Sequence, residues 1–158
     1  MRTLNFIRAI PAVAIAGALG VCLMGATNDS VSAGDVAFAP ATMNILLQSV
    51  ANAEAVQSDG ATGDVAKLAA SIQSDELAVG TQLANVASFD GIDVKTDLPK
   101  SDCTTDTFAE DQVTSLNKLI SLLQAEKDSG NAPNLRDFAD NAIPRLQKDL
   151  DAAKAAAK

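Results

Sequence analysis

The sequence predicts an all-α protein, an antiparallel four-helix bundle, and three observations carry that expectation. Apolar residues recur at helical spacing over four long windows. The windows are separated by breaks rich in Gly, Asp and Pro. The β-branched and aromatic alternation that strands require is missing, since the 158 residues include five Phe and no Trp or Tyr. Apolar residues make up 47% of the chain, but many are alanine, which buries little area. The core is therefore expected to consist of thin helix–helix seams studded with Leu, Ile and Val. The length leaves room for one such domain.

Met1 to Ala33 reads as a cleaved secretory signal peptide. Arg2 and Arg8 form a positive start, an apolar stretch runs from Ala9 to Ala26, and Val31-Ser32-Ala33 suits signal peptidase. Cleavage is expected after Ala33, which places the mature protein in the periplasm or outside the cell. Two rival readings attach to the same segment. The apolar run is short for a retained membrane span and is interrupted by Pro11 and three glycines. Leu19-Gly20-Val21-Cys22 resembles a lipoprotein box, with Val21 where Gly, Ala or Ser is preferred.

A lead-in from Gly34 to Pro40 precedes the bundle, which is expected over residues 41–158. The first helix is predicted from Ala41 to about Ser58, with Met43, Leu46, Leu47, Val50, Ala53 and Gln57 on one stripe. Asp59-Gly60-Ala61-Thr62-Gly63 breaks it. Asp64 is expected to cap a second helix carrying Val65, Leu68, Ala69, Ile72, Val79, Leu83 and Val86, which ends at Asp90-Gly91. The long link from Ile92 to Thr104 is expected to cross one end of the bundle. A third helix from about Thr105 to Asp128 turns Phe108, Val113, Leu116, Leu119, Ile120 and Leu123 inward, with Gly130 as its C-cap. Asn131 and Pro133 open the fourth, which carries Leu135, Phe138, Ala139, Ala142, Ile143, Leu146 and Leu150 and a proline, Pro144, inside it. The tail from Ala152 to Lys158 is expected to be helical and frayed.

Charge and composition narrow the functions available. The formal net charge is −8, and loss of Arg2, Arg8 and Asp29 with the signal takes it to −9. Such a surface repels nucleic acid and anionic lipid, and no Lys/Arg cluster offsets it. The chain contains no histidine. That removes the commonest general base and every Ser/His or Cys/His dyad, so catalysis is not the leading expectation. Cys103 lies in a polar loop with no cation beside it, which fits an incidental cysteine, although a lone exported thiol can also pair between chains.

Three acids sit on the wrong face. Glu76 lies four after Ile72 and three before Val79, Glu54 lies four after Val50, and Asp149 lies three after Leu146. Each of three helices thus aims one carboxylate at the seam. Ionised carboxylates buried without partners cost several kcal/mol each, on the order of magnitude of a whole domain's stability margin. They must meet a cation, take up a proton or reach water. Glu54, Glu76 and Asp149 are therefore the candidate ligands for a hard divalent metal, Mn, Ca, Mg or iron. The alternative is that they pair with Lys67, Arg145 or Lys148, or reach solvent.

Two segments are similar to an exported bacterial ferritin-like family, domain of unknown function 4142. Val65-Ala66-Lys67-Leu68-Ala69-Ala70-Ser71-Ile72-Gln73-Ser74-Asp75-Glu76 resembles its helix-two pattern V-K-x-F-A-x-x-M-x-x-D-H. Ser129-Gly130-Asn131-Ala132-Pro133-Asn134-Leu135-Arg136-Asp137-Phe138-Ala139, continued by Ile143-Pro144-Arg145-Leu146 to Leu150, resembles its closing S-G-x-D-P-x-L-K-x-F-A…L-P-x-L-x-x-H-L. Ala53-Glu54-Ala55 resembles the helix-one A-E-V. The resemblance implies a ferritin-like bundle and export, with no assigned activity. It also implies that three recurrent histidines are replaced here, by Glu76, Leu116 and Asp149. The leading functional expectation is a non-enzymatic envelope or stress-related bundle acting through protein contacts or self-association. A carboxylate-only metal-binding protein and a lipid-anchored envelope protein are the alternatives.

Overall fold

A computed structural model of the chain describes residues 31–158, so the first thirty residues of the signal segment, Cys22 among them, lie outside the described residues. Four helices fill almost all of it: α1 (Ala33–Ser58), α2 (Gly63–Phe89), α3 (Thr105–Ser129) and α4 (Pro133–Ala156). No strand occurs among the described residues.

The first helix begins eight residues earlier than the sequence suggested. Ser32 is its N-cap and closes a capping box: Ser32 Oγ accepts from the Asp35 N–H at 3.2 Å, and the Asp35 carboxylate accepts from the Ser32 N–H at 2.5 Å. Pro40, which looked like a boundary, lies inside the helix, and the turn before it buries Phe38 and Ala39. Thr62, not Asp64, occupies the N-cap position of the second helix, and its side chain makes no capping bond. Asp64 instead occupies the first turn, where its charge suits the helix dipole and pairs with Lys67 at 2.9 Å. The breaks read from sequence hold, with Gly60 and Gly91 at φ 81° and 74°, a backbone region that side chains with a Cβ rarely adopt. Gly130 caps α3 in an extended conformation, its N–H donating to the Glu126 carbonyl at 2.7 Å. The last helix is packed further than expected, since Ala153 is fully buried.

Neighbours in the bundle are antiparallel. The start of α4 meets the end of α2 where Asn134 donates to Asp90 at 2.8 Å, and Ser71 donates to Asp149 at 3.2 Å near their other ends. The start of α1 meets the end of α3, where the Asn131 N–H donates to Asp35 at 2.9 Å. Going round the bundle the order is α1, α2, α4, α3, with α2 and α3 on a diagonal and barely touching. These two diagonal helices run in the same direction. The link between them must therefore climb the bundle from one end to the other, and it does not cross a single end as expected. Ile92 is buried near the end of α2, Thr96 lies over the α1–α2 seam, and Ser101 donates to Asn52 at 2.6 Å near the top of α1. A segment from Asp90 to Thr104 can extend for about 50 Å, against roughly 38 Å for a 25-residue helix.

The core is the expected stripes brought together. Met43, Leu46, Ile72, Leu83, Phe108, Leu116, Leu119, Leu123, Leu135 and Leu146 are all at most 2% exposed. Gln57 leaves the predicted α1 stripe for the surface, where it bonds Gln73. No helix among the described residues is long and apolar enough to cross a membrane.

Candidate functional site

Halfway along the bundle the apolar core is interrupted by a polar layer to which every helix contributes. Glu76 of α2 and Asp149 of α4 are each 1% exposed. Ser49 of α1 is equally buried, and its hydroxyl faces the Glu76 carboxyl without reaching hydrogen-bonding geometry. Gln112 of α3 is fully buried at the same level. Ala41 and Ile45 lie opposite Leu122 and Lys118 across the α1–α3 groove, and equal rise on the two helices puts Gln112 at the height of Ser49 to Asn52.

The layer is poorly satisfied. Both carboxyl oxygens of Glu76, Oδ2 of Asp149, Oγ of Ser49 and both amide atoms of Gln112 lack a hydrogen-bond partner. Only Oδ1 of Asp149 has one, from Ser71. Buried polar atoms are nearly always paired, and each unpaired one costs about 1–3 kcal/mol. The two ion pairs among the described residues, Lys67–Asp64 and Lys127–Asp140, lie elsewhere on the surface. Burial, and then the charge of Asp149 and of the neighbouring Asp75, push the Glu76 carboxyl well above its ordinary range, against a smaller opposing effect of Ser49. Burial and the charge of Asp75 push Asp149 up to about 6, against the Ser71 bond and the charge of Lys148. Both carboxyls of the layer therefore resist ionisation, since burial and neighbouring negative charge disfavour the charged form of each.

The four helices all lie within a stretch that matches one protein family throughout. Residues 22–156 match the family described as Domain of unknown function (DUF4142). The chain belongs to the DUF4142 family. No curated protein and no solved structure matches it. Within this DUF4142 chain, the positions that the resemblance gives to histidines divide into two kinds. Glu76 and Asp149 face the polar layer, whereas Leu116 is buried in the hydrophobic core and offers no donor atom.

The three acids singled out from sequence also divide. Glu76 and Asp149 come together. Glu54 is half-buried on the outer α1–α2 seam, where it accepts from Gln73 at 3.1 Å. Among the described residues no three His, Cys, Asp or Glu side chains gather as a metal site would require. The oxygens that a hard cation would meet are those of Glu76 and Asp149, with Ser49 and Gln112 as neutral donors. Neither Ser49 nor Gln112 was among the sequence candidates. Gln112 was legible, lying four after Phe108 and four before Leu116, on the apolar row itself.

A second acid pair closes the lower end of the bundle. Asp35 is fully buried; burial raises its pKa, but bonds from Ser32 and Asn131 outweigh that and hold it below its usual value. Glu126 beside it is pushed up to about 7 by burial and by Asp35, against the charge of Arg136. Cys103 is free and half-buried, and burial and the charges of Asp111 and Asp102 raise its thiol pKa. That environment suits an inert cysteine.

Proposed function

We propose that this DUF4142 protein is an exported, ferritin-like bundle that acts by binding a cation in its interior acidic layer, without catalysis. The observation that carries the reading is the Glu76–Asp149 pair, whose three unpartnered carboxyl oxygens lie at one level with no basic side chain among the described residues paired to them. Such a layer is costly in the free protein and is relieved when a positive group enters it. The all-oxygen character of the donors favours Mn, Ca or Mg among metals over soft-ligand ions. Export rests on Arg2, Arg8 and the apolar run to Ala26, with retention through lipidated Cys22 as the alternative.

The test is a thermal-melt titration of the purified protein with manganese, calcium and small organic amines. At least one cation raises the melting temperature of the wild-type protein and leaves Glu76→Gln unmoved. If none moves the wild type, the interior layer is not a cation site. The mass of the exported form tests export, and a start at Gly34 excludes the lipid anchor.

A second reading, action through protein contacts, is favoured by Phe89. It is 82% exposed at the end of α2, beside a groove shared with Val86 and Phe138. Crosslinking through this face tests it, and loss of the product in Phe89→Ser is the expected result.

A further inference from the structure

A cavity of about 220 Å³ opens between α1 and α2 beneath the Thr96 stretch of the long link. Its inner wall is Met43, Leu46 and Val50, all at most 2% exposed, together with Glu76. An engineered apolar cavity of about 150 Å³ takes up benzene, so this one accommodates a body of roughly six to eight carbons. The wall contains one ionisable group, Glu76, whose two carboxyl oxygens are unpartnered and, in the free protein, closed off from water, so that a head group reaches them as the side chain turns into the cavity.

Gly80 lies on the same wall, in the middle of α2. A glycine there weakens the helix relative to alanine. Close packing does not demand it: a Cβ at this position would meet the Met43 sulfur at 3.6 Å and Leu46 at 4.0 Å, ordinary contact distances. What the missing side chain does is widen the cavity. Three features of one place, an unfilled apolar wall, an unpaired acid and an unforced helix glycine, each destabilise the free protein. A ligand with an apolar body and a positive head relieves the first two together.

We infer that this cavity binds a small primary amine, its ammonium group on Glu76 and its short hydrocarbon body against Met43, Leu46 and Val50. The inference rests on the cation reading above and names the class of cation. Charge complementarity selects the head group, since Asp75 and Asp149 reinforce the negative field at Glu76. The apolar wall and the lack of a third converging acid select an organic cation over a bare metal ion.

The experiment compares hexylammonium, ammonium chloride, hexanol and manganese chloride as stabilisers of the purified protein. Hexylammonium is expected to raise the melting temperature by roughly 5–10 °C at about a hundred times its Kd, with ammonium chloride and hexanol each producing at most a small part of that shift. Gly80→Ala, which fits without clash, is expected to weaken the effect, and Gly80→Val and Glu76→Gln to abolish it. A shift with manganese but none with hexylammonium overturns the amine assignment and leaves the cation reading standing. No shift with any cation overturns both. An equal shift with hexanol, or a full hexylammonium shift in Glu76→Gln, overturns the role of the acid.

Discussion

Glu76 on α2 and Asp149 on α4 face one another inside the bundle, each 1% exposed, and no basic side chain among the described residues is paired with either. Their charges are coupled, because the ionised Asp149 raises the pKa of Glu76. Both carboxyls are held above their ordinary range, Asp149 at about 6, with burial the largest cause in each case.

Replacing Glu76 by Gln keeps the shape and removes the group that resists ionisation. The variant is expected to be more stable than the wild type at pH 8 by about 1–2 kcal/mol, because the unfolded wild type there ionises Glu76 freely while the folded core resists it, a penalty the amide escapes. Urea unfolding of both proteins at pH 8 measures the difference. A loss of stability of similar size would mean that the carboxylate has a partner.

Stability is expected to fall as pH rises from about 4.5 to 7. Glu126 and Asp149 have folded pKa values of about 7 and about 6, above their ordinary values, so the folded state holds protons that the unfolded state has released. Their contribution is complete below the unfolded values and lost as pH rises through the folded ones. Asp35 has the opposite sign: its pKa is lowered, so its contribution is present above the unfolded value and lost in stronger acid. The stability maximum is therefore expected in mild acid. Glu126→Gln should flatten the decline between pH 4.5 and 7, read as denaturation midpoint against pH.

Ser32→Ala removes the cap of α1 and is expected to cost about 1 kcal/mol in unfolding free energy. The same cap bears on processing. Cleavage after Ala33 would remove Ser32 and leave Asp35 without that partner, so the form beginning at Gly34 should melt lower than one that retains Val31 and Ser32. Melting curves of the two forms provide the comparison.

Cys103 is expected to react slowly with iodoacetamide at pH 7.5, because burial and the nearby Asp111 and Asp102 disfavour its thiolate. Alkylation should accelerate on unfolding, which makes its rate a probe of opening near the start of α3.

The local chemistry of the chain determined its four helices. Periodicity placed Leu68, Ile72, Leu83, Leu119 and Leu146 in the core, and Asp59-Gly60 and Asp90-Gly91 placed two of the breaks, because spacing and turn residues act within one or two turns of chain. Family membership was equally legible, in the segments around Asp75-Glu76 and Ser129-Gly130. The early start of α1 was not legible, because the Ser32–Asp35 box that sets it falls within what reads as signal and lead-in. Tertiary structure decided which of the seam acids meet. Glu54, Glu76 and Asp149 all lie on or beside apolar stripes, yet helix rotation and register bring only the latter two together and send Glu54 to Gln73. The same register adds Ser49 and Gln112 to the layer, and the direction of α3 decides that the link climbs over the α1–α2 cavity. Such relations join residues far apart in sequence, and they are set by how ridges of one helix seat against the next, which no single helix encodes.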